Sequence, residues 1–205
     1  MNMIKSTALA VAVTMLAGAG PVLAQPDRPL VILHTAEGDV ILRLDAEHAP
    51  ITTCNFIRYV QQGRYAGGRF FRTVVAETND SPHPIDVVHA ATPAGSDDPG
   101  LGPITLERTS DTGLRHLAGT ISMARDGPNT ATSSFFIVVR DTPALDFGGA
   151  RNPDGQGFAA FGTVISGMEI VQDIHGDPAK DEQLVTPVII GAANLASELP
   201  AVCRS

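Results

Sequence analysis

Apolar residues fall along this chain in short runs, separated by Gly, Pro and Asn. Leu30–Thr35 (LVILHT) and residues 40–44 (VILRL) are two such runs, split by Glu37-Gly38-Asp39, the mark of a hairpin. Helical spacing comes next. Phe56, Tyr59 and Val60 repeat at i, i+3, i+4 behind Pro50, a residue suited to a first helical turn, and Gly63 is placed to end the helix. Further strands are predicted over 69–75, 85–91, 119–124, 135–139, 158–164 and 185–190. A second short helix is predicted over 166–174, where Ile170, Val171 and Ile174 share one side. Segments 76–84, 92–103 and 142–157 hold the breakers and read as loops. About eight short strands with two helices, one near each end and without βαβ alternation, predict a mainly β sandwich or closed barrel.

The start of the chain has a different character. Lys5 is the only charged residue before Asp27, positions 8–19 are almost wholly apolar, and Val22-Leu23-Ala24 supplies small residues for cleavage. This pattern predicts a signal peptide over 1–24; the apolar run falls short of the roughly 20 residues of a spanning helix. Losing Lys5 takes the formal net charge from −8 to −9. Such an acidic chain is not expected to bind nucleic acid, and no membrane contact is expected after cleavage. An exported, periplasmic or secreted monomer is the expectation. In such a compartment Cys54 and Cys203 are free to pair as a disulfide; the alternative is two unpaired thiols, with Cys54 on the first helix.

Several chemistries are not supported. The six histidines are scattered and the two cysteines lie far apart, so no metal site is expected. No G-x-S-x-G elbow surrounds Ser122, Ser133 or Ser134, and Gly67-Gly68 precedes a strand rather than a helix, the wrong order for cradling phosphate. No cofactor is expected. What stands out is Phe70-Phe71-Arg72: a charge set among aromatics on a strand, with period 2 giving it the same face as Phe70 and Val74.

The segments Ser122-Met123-Ala124-Arg125-Asp126-Gly127-Pro128-Asn129-Thr130 and Ser133-Ser134-Phe135-Phe136-Ile137 resemble the signature of cyclophilin-type peptidyl-prolyl isomerases. Phe70-Phe71-Arg72-Thr73-Val74 and Phe161-Gly162-Thr163-Val164 with Gly167-Met168 resemble that family's other motifs, in the same order and spacing from about residue 31 to 191. The resemblance implies a closed eight-stranded antiparallel β-barrel capped by two helices. With the signal peptide read above, the chain divides into a signal peptide (1–24), an N-terminal linker (25–30), a cyclophilin-like domain (31–192) and a C-terminal tail (193–205). The resemblance also implies cis–trans isomerisation of Xaa-Pro bonds, acting on proline-containing peptides and unfolded exported proteins. Arg72 matches the family's catalytic arginine, Phe136 the floor of its proline pocket and Leu145 the rim, while Ala124 and Arg125 fall where loop backbone holds the peptide.

The chain also departs from the family. Val87 stands for a pocket methionine, His89 for the glutamine that holds the arginine and the substrate backbone, Ser134 for a second glutamine, and Phe158 for a pocket histidine. Losing two amides predicts reduced or narrowed activity. The alternatives are a catalytically weak proline-peptide-binding module or chaperone of the same fold, or a barrel carrying a small apolar ligand.

Overall fold

The chain was analysed in a computed structural model that describes residues 27–95 and 99–204. The segment read as a signal peptide, 1–24, lies outside the described residues. The elements run β1 (Leu30–Thr35), β2 (Gly38–Leu44), α1 (Pro50–Gln61), β3 (Gly68–Val74), β4 (Val87–Ala91), α2 (Thr109–Thr112), β5 (Thr120–Met123), β6 (Phe135–Val138), β7 (Ala159–Ser166), α3 (Met168–Gly176), β8 (Ala179–Lys180) and β9 (Gln183–Leu195).

Every strand pairing is antiparallel. The order is β1-β2-β7-β5-β6-β4-β3-β9, and β9 returns to β1, so among the described residues eight strands close a barrel. The two residues of β8 only extend β9 as a hairpin. Closure removes the unpaired edges that an open sheet would offer.

Inside the barrel the rings of Phe56, Tyr65, Phe70, Phe135 and Phe161 pack with centroids 5.1–6.1 Å apart, and each is fully buried. Side chains fill the interior, so a barrel that carries a ligand inside is ruled out. Helix α1 covers one end. Pro50 opens it, and its free N–H groups at Ile51 and Thr52 donate to the two carboxylate oxygens of Glu107 at 3.0 and 2.8 Å. Gly63, in a left-handed conformation (φ 64°), follows it.

Two expectations change. Strand β9 continues to Leu195, so the barrel takes in the start of the segment read as a tail, and Ala196 N–H still donates to Leu30 O at 2.8 Å. The short helix α2 adds a third helix to the two expected. Beyond β9 the chain crosses back to α1, where Cys203 is bridged to Cys54 with Cα atoms 5.1 Å apart. No helix among the described residues is long and apolar enough to cross a membrane.

Candidate active site

A single extra residue in β3 sets up the site. Phe70 pairs with Ala90 of β4, but Arg72 pairs with His89, so Phe71 is a bulge. Without it, Arg72 would share a face with Phe70. With it, Phe70 points into the barrel core, while Arg72 lies outside on the side of Val74 and Phe136. The expected shared face therefore holds for Val74 and fails for Phe70. From Arg72 the register runs straight across the barrel wall: Arg72 opposite His89, His89 opposite Phe136, Phe136 opposite Ser122.

Period 2 then builds an apolar hollow around Phe136. Val74, Ile85, Val87, Phe136, Val138 and Leu145 form a cluster separate from the barrel core, with Ala124 and Phe158 packed against it. Phe135, next in sequence to Phe136, belongs instead to the core. Phe136 is 2% exposed and meets the Phe158 ring edge-on at 5.5 Å. Arg72, Val87, His89, Ala124, Arg125, Phe136, Leu145 and Phe158 all line one cavity of about 130 Å³. Ser134 lines the adjoining groove of about 390 Å³, which Arg72, His89, Ala124 and Arg125 share. Arg72 and the eight residues expected to bind substrate are thus brought to one place, while Cys54 and Cys203 lie away from it.

The loop between β5 and β6 is braced from below. Asn55 Nδ2 donates to Thr132 O, and the Tyr65 hydroxyl donates to Ser133 O, each at 2.7 Å. Asn129 adopts φ 61°, which asparagine tolerates, and its Oδ1 accepts from Leu106 N–H at 2.8 Å. These supports face the core, leaving the other side of the loop to line the groove. The hydroxyl of Ser134 is buried and has no hydrogen-bond partner among the described residues.

Arg125 plays a part that its backbone position did not suggest. Its guanidinium lies 5.0 Å from the Phe158 ring centroid, donates to Gly157 O at 2.8 Å, and grips Asp154 through both nitrogens at 2.7 and 3.0 Å. That contact also holds the Asp154 carboxyl below its ordinary pKa. The side chain thereby fixes one wall of the hollow and the loop behind it.

Two histidines border the site in different ways. His116, 1% exposed, stacks on Phe136 at 6.1 Å, with Nδ1 2.7 Å from Asp146 Oδ1 and Nε2 2.9 Å from Ser122 Oγ. The Asp146–His116–Ser122 line has the order of a hydrolytic triad, but Ser122 is fully buried behind Phe136 and has no access to a substrate. It serves to hold Phe136 in place. His89 makes no side-chain hydrogen bond among the described residues; its ring packs 5.4 Å from Phe136. Burial, and then the charges of Arg72 and Arg151, push its pKa down to about 3.

His89 therefore does not hold Arg72 as the glutamine it replaces was expected to. Glu182 does so instead. Its Oε2 accepts from Arg72 Nε at 3.0 Å and also from Nη2. Asn79 donates to Glu182 Oε1, and Arg151 Nη1 donates to Asn79 Oδ1 at 3.3 Å. Glu182, Asn79, Arg151 and His116 were missed as site residues because they sit on loops and turns with no periodic signal. The length of the 76–84 loop was the one available hint.

The depressed His89 pKa has a direct consequence. The folded state keeps the ring neutral and the unfolded state protonates near 6.5, so the stability linked to His89 is intact above about pH 6.5 and falls as pH drops toward about 3. Urea unfolding across that window is expected to show a shallower acid loss for His89→Gln, by up to about 1.4 kcal/mol per pH unit. Parallel curves for the two chains would contradict this.

Comparison with known proteins places these features. Residues 30–195 match the family model described as cyclophilin type peptidyl-prolyl cis-trans isomerase/CLD. The chain is 37% identical to peptidyl-prolyl cis-trans isomerase A of Dickeya dadantii, over 82% of each chain. It is 30% identical to peptidyl-prolyl cis-trans isomerase B of Escherichia coli, over 72% of this chain and 84% of that one. Among solved structures, a cyclophilin type peptidyl-prolyl cis-trans isomerase of Cryptosporidium parvum superposes with TM-score 0.68 at 22% identity, covering 83% of this chain and 99% of that one. The same protein in the presence of the dipeptide Ala-Pro gives TM-score 0.67. With its motifs, its closed barrel and this likeness over most of its length, the chain belongs to the cyclophilin-type peptidyl-prolyl cis-trans isomerases.

Proposed function

We propose that this chain isomerises Xaa-Pro bonds in proteins exported from the cytoplasm, acting as a monomer, with activity lowered or narrowed by its departures at His89 and Ser134. The observation that carries the reading is the Arg72 guanidinium on the edge of a Phe136-floored apolar hollow. The hollow's volume, about 130 Å³, suits a proline ring, and the groove beside it, about 390 Å³, leaves room for neighbouring peptide residues. The Ala-Pro dipeptide used with the related structure supports proline as the recognised residue. The buried Ser134 hydroxyl would gain a partner from a peptide group seated in the groove. The signal-like start of the chain supports export.

Exchange NMR on a short Ala-Pro peptide tests the reading. Faster cis–trans exchange with added protein is the expected result; binding without faster exchange would favour the alternative, a proline-peptide-binding module. For lowered activity the readout is His89→Gln, which restores an orienting amide. One added hydrogen bond, about 1 kcal/mol, corresponds to a roughly fivefold gain in kcat/KM. No gain would show that His89 does not limit the rate.

A further inference from the structure

We propose that Glu182, backed by Asn79, is the positioning residue that aims Arg72 at the prolyl bond in this chain, replacing the amide that His89 displaced. The inference rests on the isomerase reading above and concerns how its key guanidinium is held.

Arg72 is 30% exposed on a flexible stem, and its cross-strand neighbour His89 offers it no hydrogen bond. Left alone, such a side chain would sample many rotamers. Glu182 Oε2 takes Nε–H and one Nη2–H, which fixes the plane of the guanidinium and leaves its Nη1 side for the cavity. Glu182 is itself held twice. Asn79 occupies its other oxygen, and its backbone carbonyl accepts from Thr73 N–H at 2.9 Å, tying the turn to the residue after Arg72. Arg151 braces Asn79 and lines the same cavity, and its guanidinium pKa is lowered by burial and by Arg72 but raised by Glu182. The carboxylate thus sits between two cations that would otherwise repel.

The backbone points the same way. Asp181 and Glu182 form the two-residue turn between β8 and β9, at φ 50° and 63°. Such a turn favours Asn and Gly at both positions, and a glutamate there is strained. Strain retained beside a reactive group is a sign of function over stability. The geometry therefore assigns to Glu182 a role that the turn itself does not need.

The discriminating variant is Glu182→Asn, which suits the turn but is too short to grip Arg72. Its melting temperature is expected to equal or exceed that of the wild type, while kcat falls about tenfold or more and KM stays within about twofold. In an Arg72→Ala background the same change is expected to have no further effect on activity. Glu182→Gln, which keeps the reach of the side chain and one accepting oxygen, is expected to restore part of the loss. Equal or higher activity in Glu182→Asn would overturn the proposal, since the carboxylate would then be restraining Arg72 rather than aiming it. An equal fold-loss with Arg72 already removed would overturn it as well. A wild-type chain with no isomerase activity would instead sink the underlying reading.

Discussion

Arg72→Ala is expected to lower kcat/KM for Xaa-Pro peptides by about 10²–10³-fold, the loss seen when one preorganised donor is removed from a charge-stabilising site. The reason lies in the bond. Amide resonance sets a rotation barrier of about 18–20 kcal/mol, and uncatalysed exchange takes tens of seconds or more. Rotation out of plane localises a lone pair on the prolyl nitrogen, which becomes pyramidal and basic. A donor aimed at that nitrogen gains strength only in the twisted state, so it lowers the barrier instead of merely binding the peptide. A factor of 10³ requires only about 4 kcal/mol of such differential stabilisation. The neighbourhood suits the task. His89, with its pKa near 3, adds no competing positive charge at neutral pH, and the apolar wall of Val87, Phe136, Leu145 and Phe158 keeps water from the ring.

The loss is expected with the fold intact. The ion pair between Arg72 and Glu182 leaves both side chains about 30% exposed, and pairs of that kind contribute about 1 kcal/mol or less. A circular-dichroism melt should therefore move little while exchange NMR loses most of its catalysed rate. Arg72→Lys keeps the charge but not the planar fork, and an intermediate loss is expected. An Arg72→Ala chain within about threefold of the wild type would place the catalytic donor elsewhere.

The barrel was legible because its strands carry their own boundaries. Runs such as Phe135–Val138 are apolar on both faces, since one side meets the barrel core and the other the proline hollow. Val87, Phe136, Leu145 and Phe158 could be named in advance from the family's order of motifs, whereas Ile85, Val138 and Arg151 could not. Three things were hidden. The bulge at Phe71 adds one residue without changing composition, and no period-2 count reveals it. Glu182 looks like any polar turn residue until the turn is seen to lie against β3. The network behind Phe136 joins His116, Ser122 and Asp146, and it forms only when separate segments are brought together. Each of these depends on long-range register, which local spacing does not encode.

Removing the Cys54–Cys203 bridge is expected to cost the chain about 2–5 kcal/mol of stability. The bridge joins residues 149 apart, so it restrains nearly the whole of the folded domain in the unfolded state. The chain-entropy relation gives about 5 kcal/mol for a loop of that length, and losses on removing native disulfides from small secreted domains run about 2–5 kcal/mol. The folded state gains from it too. The bridge pins the last turn, Ala201–Cys203, onto α1, and with it Leu199, which packs on the barrel core. A loss of about 3 kcal/mol in a domain this size lowers the melting temperature by about 6–12 °C. Neither cysteine lines the cavity or the groove at the site, so Cys54→Ala/Cys203→Ala is expected to keep its kcat/KM at 25 °C while melting earlier. Dithiothreitol should destabilise the wild type by the same amount and leave the double variant unchanged. If the two chains melt together without reductant, the bridge is not formed in solution.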